Sequence, residues 1–77
     1  MTRYRLVFYG DLLPGVTPNE CLSKLEARFG HGRERLDRFL FSGEPAVIKT
    51  VSRYETAERF VDAFAEAGAV LHVEEVR

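Results

Sequence analysis

From Tyr4 to Tyr9 large apolar and aromatic side chains recur in steps of two until Gly10-Asp11 interrupts them, and this pattern predicts a strand. The alternation puts Tyr4, Leu6 and Phe8 on one face and Arg3, Arg5, Val7 and Tyr9 on the other. Leu12 to Gly15 is a turn, and Thr17-Pro18-Asn19-Glu20 then carries the marks of a helix start. Thr17 is placed as the N-cap, Pro18 occupies the first helical position, where a missing N–H costs nothing, and Glu20 closes a capping box. Val16 and Cys21 stand where a hydrophobic staple would pair them, and Leu22, Leu25 and Phe29 continue an apolar stripe to a cap at Gly30. A second, short helix is expected over Arg33–Leu40, with Leu36 and either Phe39 or Leu40 facing inward.

After the Ser42-Gly43-Glu44-Pro45 turn, the β-branched run Ala46–Val51 predicts another strand, and Ser52 with Glu55 forms a second capping box. The third helix carries Ala57, Phe60, Val61, Phe64 and Ala67 on one side and ends at Gly68. Ala69–Val76 is the last strand, with Leu71 and Val73 inward and His72 and Glu74 outward. The order is β-α-α-β-α-β. Helices that are apolar on one side only must cover a sheet from one face, which gives a two-layer α/β (α+β) domain with a three-stranded sheet. Arg3, Arg5, Val7, Tyr9, Lys49, His72 and Glu74 are then expected on the uncovered face. A single domain spans residues 1–77, and at that size nearly every large apolar side chain is needed in the core, so no sizeable cavity is expected.

Charge changes this picture only by its distribution. The net charge of −1 argues against strong attraction to nucleic acid or anionic lipid. Lys24 to Arg38 is nevertheless mildly basic, and Arg53 to Arg77 is acidic. The lone Cys21 and the lack of a secretory signal pattern point to a reducing cytoplasm, and no apolar run is long enough to insert into a membrane.

Candidate chemistry is sparse. His31, His72 and Cys21 lack the spacing of a zinc site or of a nucleophile with its base, so no enzyme, metal, cofactor or small-molecule substrate is predicted. Gly30-His31-Gly32-Arg33 could hold an anion or simply link two helices. The exposed apolar candidates are Leu12, Leu13, Val7, Tyr9 and Phe41. The expected role is a protein- or peptide-binding module, an adaptor or regulator that uses Arg3, Arg5, Val7, Tyr9, Lys49 and His72 on the open sheet face or an edge strand, with a second copy of the chain as another partner. The alternative is a nucleic-acid-associated regulator using Arg28, Arg33, Arg35 and Arg38.

Three segments carry a resemblance: Gly10-Asp11-Leu12-x-Pro14-Gly15, then Leu40-Phe41-Ser42-Gly43-x-Pro45-x-x-Ile48-Lys49, then Ala57-Glu58 with Ala67-Gly68-Ala69. Together they resemble a group of small bacterial domains, mostly of unassigned function. Pro45 to Ala69 is also similar to the C-terminal domain of the ribosomal stalk protein, where a Lys-bearing strand leads into a helix ending in Ala-Gly-Ala. That domain and the Clp protease adaptor share the element order above and bind other proteins, so the resemblance implies the same fold and, by analogy, a docking role. Asn19 to Phe29 lacks the Gly-Leu-Lys-rich run of the stalk domain, and that activity is not implied here.

Overall fold

The computed structural model describes residues 2–77. Its elements are β1 (Arg3–Leu12), α1 (Pro18–Phe29), α2 (Arg33–Leu40), β2 (Ala46–Val51), α3 (Tyr54–Glu66) and β3 (Ala69–Val76). The strands form one antiparallel sheet in the order β2-β1-β3. The first strand is thus central. Leu6 and Phe8 of β1, Leu71 of β3, and Ala46 and Val51 of β2 are buried together with Cys21, Leu25, Leu40, Ala57 and Phe64 from the helices. All five strand residues face the same side, which makes the expected two-layer α+β arrangement, with every helix on one face of the sheet.

The helix starts obey different physics. At α1 the N–H of Glu20 donates to Thr17 Oγ1 at 3.2 Å, and Gly30 closes the helix in the left-handed region with φ 72°. At α3 the expected Ser52 box does not form; Arg53 is the N-cap and no side chain caps it. Val51 is still paired with Tyr4 in the ladder, so Ser52 is leaving the strand when the helix would need it as a cap. Tyr54 instead docks the first turn by packing edge-on against Tyr4, with ring centroids 5.3 Å apart.

Two irregularities of the sheet were not expected. β1 does not stop at Tyr9: Gly10 takes a φ of 90°, the register with β3 jumps between Phe8 and Leu12, and Leu12 rejoins the ladder opposite Ala69. Leu12 is therefore a strand residue, half-buried against the core, rather than part of a loop. In β2, Leu6 faces Lys49 but Val7 faces Val47, which leaves Ile48 as an extra residue. This bulge turns Lys49 to the helix-covered face, since Leu6 opposite it points into the core.

One glycine joins three segments. Gly68 follows α3 with a φ of 87°, its N–H donates to the Ala65 carbonyl at 2.9 Å, and its own carbonyl accepts from the Leu13 N–H at 2.8 Å. A Cβ at this position would lie 2.5 Å from Val16 Cγ1. Gly68→Ala is therefore expected to destabilise the domain by on the order of 3 kcal/mol, from the left-handed backbone penalty plus overpacking. Urea denaturation checks this, and a Val16→Ala background should recover the packing part alone; an unchanged cost in that background would mean that Val16 is not the obstacle.

Candidate functional site

The open sheet face gathers only part of the set expected there. Arg5, Tyr9 and His72 do lie together, joined by Glu74 and Asp11. The Tyr9 hydroxyl donates to Glu74 Oε2, Arg5 Nε stands 4.0 Å from Glu74 Oε1, and His72 Nε2 stands 3.6 Å from Asp11 Oδ2. The Tyr9 and His72 rings meet edge-on at 5.2 Å. Arg3 is exposed further along the same strand. Val7, expected as a contact residue, is only 2 % exposed. It is flanked across the sheet by Val47 and His72, with Arg5 and Tyr9 two residues away on its own strand and the same face. Lys49 is not on this face at all. What remains is a row of polar side chains in contact with one another, and the hydrogen bond to Glu74 followed by desolvation holds the Tyr9 phenol above its ordinary pKa.

The opposite layer contains a feature that the size of the chain did not lead us to expect. A cleft of about 480 Å³ opens between α2 and α3, with the end of α1 and the bulged part of β2 at its base. Phe29, Leu36, Phe39, Ile48, Phe60 and Phe64 supply its apolar lining. Phe29 and Phe64 pack tilted at 5.5 Å and close the base, whereas Phe39 is 48 % exposed. The cleft exists because α2 packs on α1 and β1 but makes little contact with α3. With 8 residues, α2 sinks only Leu40 fully into the core and leaves Leu36 and Phe39 as a wall.

Polar bonds hold that wall in place. Arg33, in the first turn of α2, donates to Ser23 Oγ at 2.8 Å, to the Asn19 carbonyl at 3.2 Å and to Asn19 Oδ1, all on α1. The guanidinium is thereby committed to bracing, and Gly30-His31-Gly32-Arg33 acts as a link rather than offering Arg33 to an anion. At the far end Arg28 pairs with Glu66 at 2.6 Å, tying α1 to α3. Two of the four arginines considered for nucleic acid thus have partners within the chain.

Two cationic side chains, Arg35 and Lys49, and the imidazole of His31 border the cleft. Lys49 reaches it through the β2 bulge, with Nζ 5.6 Å from the centre of the Phe60 ring. Of the residues with reactive chemistry, Cys21 is buried and burial pushes its thiol pKa up, the reverse of what a nucleophile needs. Among the described residues no group of three or more His, Cys, Asp or Glu side chains could hold a metal, and no helix is long and apolar enough to cross a membrane. An apolar cleft with a cationic border suits reversible binding. Its residues were hidden in the sequence because Phe39 looked like one of two interchangeable core candidates and Lys49 took the wrong face in an unbroken alternation; the available signal was a surplus of helix aromatics, Phe29, Phe39, Phe60 and Phe64, around one small core.

Two consequences can be measured. Arg33→Ala should cost about 1 kcal/mol of stability and should speed amide hydrogen exchange in α2 well beyond that in α3; equal acceleration in both helices would remove Arg33 as a specific brace. For Tyr9 the folded-state pKa is raised, so the bond to Glu74 stabilises the fold below the ordinary phenol value of about 10 and this contribution is lost as pH rises through the elevated value. Following the Tyr9 ring by NMR across alkaline pH should show Glu74→Gln bringing the titration back toward that ordinary value, and an unchanged titration would assign the shift to something else. Comparisons with family models, with curated proteins and with solved structures give no match to this chain, so its function has to be argued from the geometry above.

Proposed function

We propose that this domain is a non-enzymatic binding module, an adaptor or regulator of the bacterial cytoplasm, which receives apolar side chains of a protein or peptide partner in the cleft between α2 and α3. The observation that carries this reading is the open, aromatic-lined cleft itself. A domain of 77 residues has little apolar surface to spare, yet Phe39 stands half-exposed on the cleft wall. Contiguous apolar surface left open in this way marks interaction sites more often than scattered surface hydrophobes do. Two splayed helices over a hydrophobic floor match the geometry in which an amphipathic helix lays its apolar face into a groove.

The open sheet face is the weaker receptor. Arg5, Tyr9 and His72 would have to surrender their contacts to Glu74 and Asp11, and Val7 offers little area. Arg3, exposed on this face, has no ion-pair or hydrogen-bond partner among the described residues. Lys49 keeps its place in the proposal, but on the cleft. The nucleic-acid alternative is left with Arg35 and Arg38, because Arg28 and Arg33 are engaged within the chain. The resemblance to protein-docking domains points the same way, as analogy only.

NMR titration with an uncharged amphipathic helical peptide bearing Leu and Phe anchors tests the proposal. The amides of Leu36, Phe39, Ile48 and Phe60 should shift together. Phe39→Ala should weaken binding by more than about tenfold while changing stability by no more than roughly 0.5 kcal/mol. Shifts centred on Arg5, Tyr9 and His72 instead would place the binding surface on the sheet and end the cleft reading.

A further inference from the structure

We infer that the partner segment is acidic: a peptide or protein helix whose apolar anchors enter the cleft while flanking Asp or Glu carboxylates meet Lys49 and Arg35. The inference rests on the cleft being the receptor and adds the chemistry of what it receives.

The charge pattern around the cleft is not a reflection of the whole chain. Acidic residues outnumber Lys and Arg by 12 to 11 over the sequence, yet the charged and titratable residues bordering the cleft are His31, Arg35 and Lys49, with no Asp or Glu. Of the acids of α2, Glu34 lines an adjoining shallow groove that shares Arg35 and Phe39 with the cleft, but it forms no ion pair with Arg35 and is not part of the cleft lining. Three other cations are engaged within the chain, Arg5 with Glu74, Arg28 with Glu66 and Arg33 with Asn19 and Ser23. Arg35 and Lys49 have neither an ion-pair nor a hydrogen-bond partner among the described residues.

Lys49 is also aimed. In regular pairing counted from Ala46, Ile48 would face Leu6 and Lys49 would point to the opposite side of the sheet; with Ile48 bulged out of register, Lys49 faces Leu6 and its ammonium lies 5.6 Å from the centre of the Phe60 ring at the cleft. A lysine held by a ring face can still accept a carboxylate from the solvent side, since its three donors are not used by the ring. Arg35 stands on the α2 wall, one turn before Phe39. An apolar anchor seated against Phe39 and Phe60 would therefore bring acids one turn away, at i±3 or i±4, into reach of both cations. Partial exclusion of water by the seated anchor strengthens such pairs relative to free surface pairs.

The experiment uses the intact chain and three peptides with identical Leu and Phe anchors, flanked by Glu, by Gln or by Lys, with affinities measured by calorimetry at low and at high salt. The Glu peptide should bind roughly five- to tenfold tighter than the Gln peptide at low salt, with the gap narrowing as salt rises. The Lys peptide should bind more weakly than the Gln peptide. Lys49→Gln with Arg35→Gln should bring the Glu and Gln peptides to equal affinity, and Arg35→Gln alone, on the exposed side of α2, should remove part of the preference should the bulge tolerate no change. Equal affinities of the Glu and Gln peptides for the natural chain would overturn the acidic partner while leaving the cleft as receptor. Preference that survives the double substitution would also overturn it, by assigning the selectivity to other cations. No binding by any of the three would remove both this inference and the proposed function. An unstructured oligonucleotide that outcompetes the Glu peptide at the cleft would replace the acidic polypeptide by a nucleic acid.

Discussion

Three helices of unequal length must cover one face of a three-stranded sheet, and this mismatch shapes the domain. With 12 and 13 residues, α1 and α3 run about 18 and 20 Å, whereas the 8 residues of α2 run about 12 Å. Two long helices and a short one cannot close over the sheet without a gap. The gap falls between α2 and α3, which make little contact, and aromatic side chains of both helices line it. Beneath the gap Leu6, Phe8, Cys21 and Leu25 are sealed from solvent, and Phe64 belongs both to this core and to the cleft wall.

The two faces of the sheet solve opposite problems. Under the helices, burial does the work, and the irregular residues of β1 and β2 keep Leu12, Ile48 and Val51 in contact with the core. On the reverse, a chain of side chains from Asp11 through His72, Tyr9 and Glu74 to Arg5 crosses from β1 to β3 and back, with Val7 shielded among them. Surface pairs of this kind contribute little individually, with exposed ion pairs worth about 0 to 1 kcal/mol. Their effect here is on what the surface offers: groups already paired have less to gain from a partner. Arg35 and Lys49 at the cleft have no ion-pair or hydrogen-bond partner among the described residues.

Much of the fold is legible residue by residue. Thr17, Pro18 and Gly30 act through local chemistry that any chain would obey, and the structure follows them. The apolar side of α3 and the alternation of β3 are legible for the same reason: one period runs through each without interruption. Legibility fails where two local rules meet. Gly10 marks a stop in a strand pattern, but Ala69 across the sheet gives Leu12 a partner, and the ladder resumes beyond the break. Ser52 and Glu55 satisfy a helix-start rule one residue too early, because Val51 remains committed to Tyr4. The bulge at Ile48 is invisible to strict alternation and reverses the side on which Lys49 lies. Of the candidate site, the bracing role of Arg33 and the cleft itself depend on how far apart two helices come to rest, a distance no single segment encodes.

The bulge in β2 has a second effect, on the fate of many copies rather than one. β2 is an edge strand, and a flat, regular edge is a template onto which another chain can add by backbone hydrogen bonds. An unpaired residue at Ile48 twists the ribbon and puts its outward amides and carbonyls out of step with a straight neighbour. Pro45, immediately before the strand, has no N–H to lend. The same defect that delivers an ammonium to the cleft therefore makes this border of the sheet a poorer template for the lateral addition of another strand.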